Sequence, residues 1–479
     1  MEAMIDSGVH TPQVPRSALP LWIAGGSLVA YAALLCALSF GLGADALSRE
    51  HALAWLAGGG VVAGALYLIG MYRARCLRIA PGSIVVIAIA ARLVVSAAPP
   101  MLESDYQRYL WDGAVTAHGI NPYRHAPGDA VAGPVEGSDR GQVTDLAARA
   151  GHVLTSVNHP HLTTIYPPVA QGAFAAAYAV APFSPLGLRV VFVVADAVTL
   201  VLLSRLLKAL SLSPVQLAWY AWNPLLLREV YSSLHMDVLL LPLIAASLLA
   251  AIRAHVTAAS AWLVVASAVK VWPVALLPLM LRPMLGRWRR LAVAILVSGL
   301  LGAVLWLPVI LASHGENSGF LAYGKGWQNN DGFFRAGIWL TERALGMIGF
   351  QPWHSHSIMR IVSAVLVGSV VIWQSRTPSA GGRDLVNRCL WIVGAILVLS
   401  PTQFPWYWMW CLPFLTLRPF PPLLLYVALL PLYYVQDQLI YPLSHWLQHA
   451  PVWVLLGLAG ARCLVSHRRS VTELEVRRA

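Results

Sequence analysis

The amino-acid sequence predicts an all-α protein, built as a polytopic bundle of transmembrane helices. Of its 479 residues, 58% are hydrophobic and only 11% are charged, whereas soluble proteins carry about 25% charged residues. Apolar runs long enough to cross the hydrocarbon core of a bilayer recur along the chain. Lysines and arginines lie in the short loops between these runs, so the net charge of +12 indicates span orientation rather than nucleic-acid binding.

The first 98 residues contain three predicted spans, over Leu19–Leu42, His51–Tyr72 and Ile79–Ala98. The loop between the second and third spans contains three arginines within six residues. Because basic loops stay on the cytoplasmic side of the membrane, we expect residues 99–166 to form a large extracytoplasmic loop.

The rest of the chain continues the same integral membrane domain, with about eleven to thirteen spans in all. We expect central spans over residues 167–312, a second outer loop over 313–357, and C-terminal spans with a cytoplasmic tail over 358–479. Residues 218–237 are polar and interrupted by an Asn-Pro pair, which a membrane protein tolerates where the segment is covered by protein or lines a cavity. For residues 261–281 a re-entrant segment with Lys270 near its tip is favoured, and a single crossing is the alternative.

The segment Met101–Pro127 is the most polar part of the predicted outer loop, and it carries three carboxylates among tyrosines, tryptophan and arginines. One interpretation is that a carboxylate acts as general base on a sugar hydroxyl. The alternative is a solvated turn that follows a span. The surrounding aromatic and basic side chains favour the first interpretation, because they bind sugars and phosphates.

Arg108 and Lys270 each have a functional and a structural interpretation. Arg108 either pairs with Asp105, three residues earlier on one helical face, or holds a phosphate. Lys270 lies in an otherwise apolar run, and an ionisable residue within a membrane is a functional candidate by default. Its alternative is that the side chain reaches the membrane interface.

Two further groups of side chains are expected to have structural roles. His152, His159 and His161 are expected to form a hydrogen-bonding cluster in the outer loop rather than a metal site, since their spacing is not that of metal-binding pairs. The aromatic run Phe404–Trp410 is expected to form an interfacial belt, with a stacking platform for a sugar or lipid as the alternative.

Several stretches together resemble one family of membrane enzymes. SDYQRYLWDGAVTAHGINPYRHAP, YPPVAQ, AWNPLLLREVYSSLHMD, VKVWPVALLP and SPTQFPWYWMWCLPF resemble, in this order, polytopic glycosyltransferases of the GT-C superfamily. The resemblance is closest to bacterial polyprenyl-phosphomannose-dependent mannosyltransferases and covers about Leu93 to Leu415. It implies an inverting transfer of a hexose, with mannose favoured, from a polyprenyl-phosphate carrier to a glycan, lipid or protein acceptor. The reaction would take place at the outer face of the bacterial cytoplasmic membrane.

The resemblance also implies roles for individual residues. Asp105 matches the second of two adjacent aspartates in the family motif and would be the catalytic base; Ser104 stands at the first position, and Glu103 before it is a second catalytic candidate. We expect Asp105 on a loop. The donor phosphate would be neutralised by Arg108, Lys270 and His235. The predicted substrate-binding residues are Tyr109, Trp111, Asp112, Asn121, Tyr123, Tyr166 and Asp237. No cofactor or metal is expected, since cationic side chains can replace one.

Two further expectations concern one carboxylate and the class of protein. The tripeptide Trp-Asp-Gly predicts a turn in which Asp112 accepts hydrogen bonds from backbone amides. The rival function is a transporter or flippase of lipid-linked sugars. A transporter is expected to show internal repeats and polar residues near the midplane in both halves. Here the polar residues gather on the outer side, which favours an enzyme.

Overall fold

A computed structural model describes residues 18–73, 80–132, 139–312, 315, 317–349, 354–436 and 443–476. Within these ranges the chain is helical apart from loops and one isolated parallel bridge between Asn329 and Thr402. The predicted all-α class is therefore confirmed. Most of the basic loop after the second predicted span, residues 74–79, lies outside the described residues.

The N-terminal part of the chain forms three long helices, and its predicted outer loop is also mostly helical. The first three helices are α1 (Leu19–Gly43), α2 (Arg49–Arg73) and α3 (Pro81–Ser96). The predicted outer loop contains α4 (Asp105–Ala117), α5 (Pro127–Ala132), α6 (Arg140–Ala150) and α7 (His152–Thr155), and is followed by α8 (Pro168–Val180) and α9 (Pro185–Ala209). Helix α4 packs closely on α8 because Gly113 lacks a side chain: a Cβ atom there would collide with the backbone carbonyl of Phe174.

The central segment is broken into short helices. After a 3₁₀ turn (Pro214–Leu217) come α10 (Ala218–Ala221), α11 (Pro224–Leu226), a π-helical turn (Leu227–Ser232), a 3₁₀ turn (Met236–Leu239) and α12 (Leu240–Ile252). The chain bends by 114° between the parts before and after residues 233–235. The Asn223 side chain caps α11 by accepting a hydrogen bond from the Leu225 amide at 3.0 Å. The polar residues of this segment are buried, which confirms that it is covered by protein.

A buried charge pair ties the broken segment to the helices around it. Arg92 on α3 contacts Asp196 on α9 through Nε, at 2.6 Å. The hydroxyls of Tyr220 and Tyr231, both in the broken segment, donate to the same carboxylate at 2.7 and 2.5 Å. Four elements thus converge on one carboxylate, which holds the irregular segment in place.

The next helix ends just before Lys270. Helix α13 (Val256–Ser267) is followed by an irregular break, a 3₁₀ turn (Trp272–Leu276), α14 (Leu277–Leu281) and a 3₁₀ turn (Arg282–Met284). The carbonyl of Ala268, inside the break, accepts a hydrogen bond from the Val169 amide at 2.8 Å. The break is therefore anchored at the N-terminus of α8, and it brings Lys270 to the same place. Whether this segment is re-entrant stays a prediction.

The C-terminal half begins with a long, exposed helix and ends with the longest one. Its elements are α15 (Trp288–Ala312), α16 (Gly319–Gly326), α17 (Phe333–Met347), α18 (His354–Ser375), α19 (Gly382–Leu399), a 3₁₀ segment (Pro405–Cys411), α20 (Leu412–Leu417), α21 (Pro421–Leu429), a 3₁₀ turn (Leu430–Val435) and α22 (Leu443–Val476). In the most apolar windows of α15 and α18 only 6% and 17% of residues are buried. Large apolar surfaces of this kind indicate contact with lipid.

Within the described residues, five helices are long and apolar enough to span a membrane, or six if the bent pair 214–252 counts as one span. They are α1, α2, α9, α15 and α18. The predicted number of about eleven to thirteen spans is larger because it includes shorter apolar segments. Three of these segments are Pro81–Ser96, Val256–Ser267 and Pro421–Val435. The protein is a polytopic membrane protein, and the grouping of its elements into spans and outer loops stays a prediction.

Candidate active site

A cavity of about 220 Å³ opens where six parts of the chain meet. These parts are the N-terminus of α4, the loop before α8, the break after α13, the C-terminal end of α16, the aromatic 3₁₀ segment before α20, and the 3₁₀ turn Leu430–Val435. The polar residues that line the cavity include Glu103, Asp105, Arg108, Asn158, His159, Lys270 and five tyrosines, Tyr109, Tyr166, Tyr323, Tyr407 and Tyr433. A cavity lined by two carboxylates, two cations and several aromatic rings suits a charged sugar derivative.

Asp105 is the first residue of α4, not part of a loop as the sequence suggested. Its side chain is 26% exposed. One carboxylate oxygen accepts a hydrogen bond from Asn158 at 3.2 Å, and the other lies 4.0 Å from Nδ1 of His235. Burial raises the pKa of the Asp105 carboxyl above its usual range, although Asn158 opposes the shift. The raised pKa makes Asp105 a stronger base than an exposed aspartate.

Glu103 faces the same cavity from two residues earlier. Burial raises the pKa of its carboxyl from 4.5 to about 7; the Arg228 charge opposes this shift, whereas the Asp105 charge adds to it. Near neutral pH, the Glu103 carboxyl is therefore present in both its protonated and its ionised form.

Arg108 forms its charge pair with Asp112 rather than with Asp105. Its Nε donates to Asp112 Oδ1 at 2.8 Å, and its terminal nitrogen donates to the Leu162 carbonyl at 3.1 Å. Asp112 lies in the middle of α4, one turn after Arg108, and also accepts from Gln171 at 3.1 Å. The predicted Trp-Asp-Gly turn is therefore wrong, because Asp112 satisfies its oxygens with side chains inside a helix. These contacts hold the guanidinium at the cavity wall.

Lys270 extends from the break after α13 into the cavity. Its Nζ lies 3.4 Å from Asp237 Oδ1 and 4.6 Å from the centre of the Tyr407 ring. Asp237 is fully buried and also accepts a hydrogen bond from Trp410 at 2.7 Å. Lys270 and Arg108 thus line one cavity, where both cations face the space in which a ligand would bind.

His235 lies behind Asp105 rather than in the cavity wall. Its side chain is fully buried and stacks on Trp406, with ring centres 3.7 Å apart. Its Nε2 lies 3.5 Å from Glu229, which accepts a hydrogen bond from Tyr434 at 2.9 Å. The expected contact between His235 and a donor phosphate is therefore not supported by its position, since Trp406 lies against the imidazole face.

The aromatic run Phe404–Trp410 is not an interfacial belt, because its rings are buried in the protein, or half-buried in the case of Phe404, instead of facing lipid. Phe404 stacks on Trp406 with ring centres 4.5 Å apart. Tyr407 bonds to the hydroxyl of Tyr323 at 2.9 Å. The Asn329–Thr402 bridge attaches this run to the loop after α16. The alternative interpretation, a stacking platform beside the site, agrees with this arrangement.

The other predicted substrate-binding residues divide into two groups. Tyr109 and Tyr166 line the cavity and contact each other edge to face at 4.9 Å. The structure does not bring the second group to the cavity wall: Trp111 packs in a separate apolar cluster, Asn121 binds the Pro308 carbonyl, Tyr123 binds the Tyr166 carbonyl, and Asp112 and Asp237 hold the two cations.

The three histidines of the predicted outer loop do not form one cluster. His159 lines the cavity and contacts Trp327 with ring centres 4.9 Å apart, and its ring centre is 6.2 Å from that of His161. His152 is exposed and contacts Ser156. Among the described residues, no group of three or more histidine, cysteine, aspartate or glutamate side chains is placed to hold a metal ion.

Sequence reasoning missed several residues around the site. Asn158 and Trp327 belong to loops without a recognisable motif, and only the fold brings them to Asp105 and His159. Glu229 and Tyr434 are 205 residues apart in sequence but bonded in the structure. The one available signal was the density of charge in the broken segment, which contains Glu229.

The MptA_B family model, described as alpha-(1->6)-mannopyranosyltransferase, N-terminal domain, matches residues 23–285. The chain belongs to this family. A member of the mannopyranosyltransferase family is a glycosyltransferase that transfers mannosyl groups, which confirms the resemblance to membrane mannosyltransferases and favours an enzyme over a transporter. The matched range includes both cavity carboxylates and both cations, whereas the aromatic run lies beyond it. No curated protein matches the chain.

Proposed function

We propose that this mannosyltransferase takes mannose from a polyprenyl-phosphate donor at the outer face of the membrane and inverts its anomeric carbon. The observation that carries the proposal is the cavity itself, in which a carboxylate, Asp105, faces the same space as Lys270 and Arg108. A carboxylate suits the acceptor hydroxyl, and two cations suit a phosphate leaving group.

The reaction balances as a single displacement. The acceptor hydroxyl gives its proton to Asp105 while its oxygen attacks the anomeric carbon of mannose. The bond from this carbon to the phosphate oxygen breaks, and the electron pair leaves with the polyprenyl phosphate. Lys270 and Arg108 stabilise the charge that develops on the phosphate, the kind of electrostatic stabilisation that is worth about 10² to 10³ in rate for one donor.

The aromatic residues would hold the sugar and exclude water. Trp406 and Tyr407 present rings at the cavity wall, and Tyr166 faces Lys270 with the ring centre 5.9 Å from Nζ. Aromatic faces bind the apolar faces of sugar rings, and the burial of this platform reduces hydrolysis of the donor.

His235 and Glu229 would orient the base. Asp105 Oδ2 lies 4.0 Å from the imidazole, and Glu229 lies 3.5 Å from its other nitrogen. We expect His235 to fix the direction of the Asp105 carboxylate rather than to contact the donor. His235→Ala should therefore lower the turnover of bound donor without weakening donor affinity.

The decisive assay uses purified enzyme with radiolabelled polyprenyl-phosphate mannose, polyprenyl-phosphate glucose and a nucleotide-linked mannose. The proposal expects transfer from the first donor. Asp105→Asn should retain donor binding and lose transfer. Asp129→Asn is the matched control, because Asp129 is an exposed aspartate of α5 in the same outer segment. Transfer from the nucleotide donor alone, or near-normal transfer by Asp105→Asn, contradicts the proposal.

The stereochemistry is tested with donors of defined anomeric configuration. We propose an α-(1→6) linkage in the product, in line with the family description. Inversion then requires a β-linked donor, so the enzyme should consume β- but not α-mannosyl phosphopolyprenol. Consumption of the α anomer to form an α product would indicate retention instead.

The outer-face location has its own test. A cysteine introduced at Asp129 should react with a membrane-impermeant thiol reagent in intact cells. A cysteine at Thr377, just beyond the end of α18, should react only after permeabilisation. The reverse pattern would show that the cavity opens to the cytoplasm.

A further inference from the structure

A pair of cavities lies along helices α18 and α19, in addition to the cavity of the candidate active site. The first, of about 200 Å³, is polar and is formed by the C-terminal end of α18 and the N-terminal end of α19. Arg376, Arg388, Asp384 and Asn387 contribute to its lining. The second, of about 220 Å³, is lined by apolar side chains of α18, α19, α21 and α22, and by Arg418.

The two cavities share one continuous helix face. On α19, Asn387 lines the polar cavity, whereas Trp391 and Ala395, one and two turns further on, line the apolar one. On α18, Val370 and Gln374, one turn apart, line the apolar and the polar cavity respectively. Residues four apart lie on the same side of a helix, so the polar and apolar cavities follow each other along the same side of both helices.

Positive charge dominates the polar end of this surface. Arg388 is held in place: its Nε contacts Asp384 at 2.8 Å, and its terminal nitrogen donates to the Gln374 carbonyl at 2.8 Å. Arg376 is exposed and lies over the Trp373 ring at 4.0 Å. Arg418 is exposed beside the apolar cavity. Two guanidinium groups and one carboxylate thus line the polar cavity, and a third guanidinium group lies beside the apolar one, which leaves an excess of positive charge.

We propose that these two cavities form a binding site for an anionic glycerophospholipid. The headgroup phosphate would occupy the polar cavity near Arg376, and one acyl chain would lie in the apolar cavity. Basic pockets between transmembrane helices bind acidic headgroups, and an adjoining apolar cavity is what distinguishes a phospholipid from a soluble phosphate. The amphipathic Trp373 is 62% exposed, as expected of a side chain at a membrane interface.

The site is distinct from the site proposed for the mannosyl donor. Helix α19 has 18 residues and is therefore about 27 Å long at 1.5 Å per residue. Its C-terminal end leads to residues 400–403 and the aromatic run of the candidate active site, whereas the polar cavity is at its N-terminal end. A lipid bound along α18 and α19 would hold together the pair of helices from which the aromatic run extends.

The test is native mass spectrometry of the purified full-length enzyme, titrated with phosphatidylglycerol and with phosphatidylcholine of the same acyl chains. We expect phosphatidylglycerol to bind and to raise the thermal unfolding midpoint, and phosphatidylcholine to bind much more weakly. Each arginine near a membrane surface contributes a factor of about five in affinity for acidic lipid. Arg376→Gln and Arg418→Gln should each weaken phosphatidylglycerol binding by about this factor.

Arg289→Gln is the matched control. Arg289 is also exposed and also lies over a tryptophan, Trp288, at 5.3 Å, but it lines neither cavity. Ala395→Phe reduces the apolar cavity and should weaken binding of the long-chain lipid. Both arginine variants should retain the unfolding midpoint of the lipid-free enzyme.

Three results would overturn the proposal. Equal binding of the two lipids would show that the arginines do not select charge. An equal loss in the Arg289→Gln control would show a diffuse surface effect. Unchanged phosphatidylglycerol binding in Ala395→Phe, together with a rise in the unfolding midpoint that is as large with glycerol phosphate alone as with phosphatidylglycerol, would show that the apolar cavity does not bind the lipid.

Discussion

The pair formed by Lys270 and Asp237 allows folding and activity to be separated by experiment. In the described part of the chain, Asp237 is fully buried, contacts Lys270 at 3.4 Å and Trp410 at 2.7 Å, and has one oxygen without a hydrogen-bond partner. Lys270 is 16% exposed and faces the cavity. Asp237 therefore depends on the lysine for charge balance much more than the lysine depends on Asp237.

Lys270→Met is expected to lower the free energy of unfolding by about 2–3 kcal/mol. Breaking a buried pair by removing one partner destabilises a protein by about 3–5 kcal/mol. We expect a smaller loss than about 3–5 kcal/mol because Lys270 and Asp237 are 3.4 Å apart and Lys270 is partly exposed. In addition, Trp410 still donates a hydrogen bond to Asp237 in the variant. Asp237→Asn leaves Lys270 near the Tyr407 ring and should be destabilising by about 1 kcal/mol.

The double variant Lys270→Met/Asp237→Asn removes both charges, so its stability should return to within about 1 kcal/mol of the parent. With the double variant about 1 kcal/mol below the parent, the resulting coupling energy is about 2–3 kcal/mol, which is within the range measured for contacting residues. Transfer activity should not return, because the cation proposed for the donor phosphate is absent. Both variants that lack Lys270 should be about 10²- to 10³-fold slower.

Stability is measured by SDS titration in mixed micelles, and activity by transfer from labelled donor at equal amounts of folded enzyme. Asp129→Asn serves as a control for the effect of replacing an aspartate in this fold. Recovery of activity in the double variant would refute the assigned role of Lys270. A double variant as unstable as Lys270→Met would refute the reasoning about the stranded Asp237 charge.

Three other predictions test the fold around the site. Gly113→Ala should separate α4 from α8 and reduce transfer by about tenfold or more. Gly172→Ala, on an open face of α8, is the control and should have little effect on transfer. Equal losses of transfer in the two variants would contradict the importance of close packing at Gly113. Arg92→Leu should destabilise by about 3–5 kcal/mol by stranding Asp196, and adding Asp196→Leu should recover much of this in the same SDS titration. Glu103 has a pKa of about 7 in the folded state against an ordinary 4.5, so the folded state binds the Glu103 proton more tightly than the unfolded state does. The parent should therefore lose stability relative to Glu103→Gln as the pH rises from about 4.5 to 7. A difference in melting temperature between the two proteins that does not change with pH would show an unshifted pKa.

The amino-acid sequence determined the class of the protein and the segments that carry its chemistry. The excess of apolar runs and the shortage of charge predict membrane helices, because uncharged runs of that length are stable in hydrocarbon. The charged segment around Asp105 and the isolated Lys270 stand out for the opposite reason, since charge in an apolar chain requires a partner or a ligand. The resemblance to mannosyltransferases depends on the same segments.

Only the tertiary structure decided which of these residues meet and what each contacts. Asp105 begins a helix and Asp112 lies inside it, where Gln171, 59 residues further along the chain, donates a hydrogen bond to the Asp112 carboxylate. The aromatic run is buried beside the cavity instead of at the membrane interface, because a bridge from the loop after α16 holds it there. His235 lies behind Asp105 because its ring stacks on Trp406, which is distant in sequence and covers the imidazole. The local sequence determines the lengths of the apolar runs and the helix caps. These contacts, in contrast, join residues that are far apart in sequence and that meet only when the helices pack.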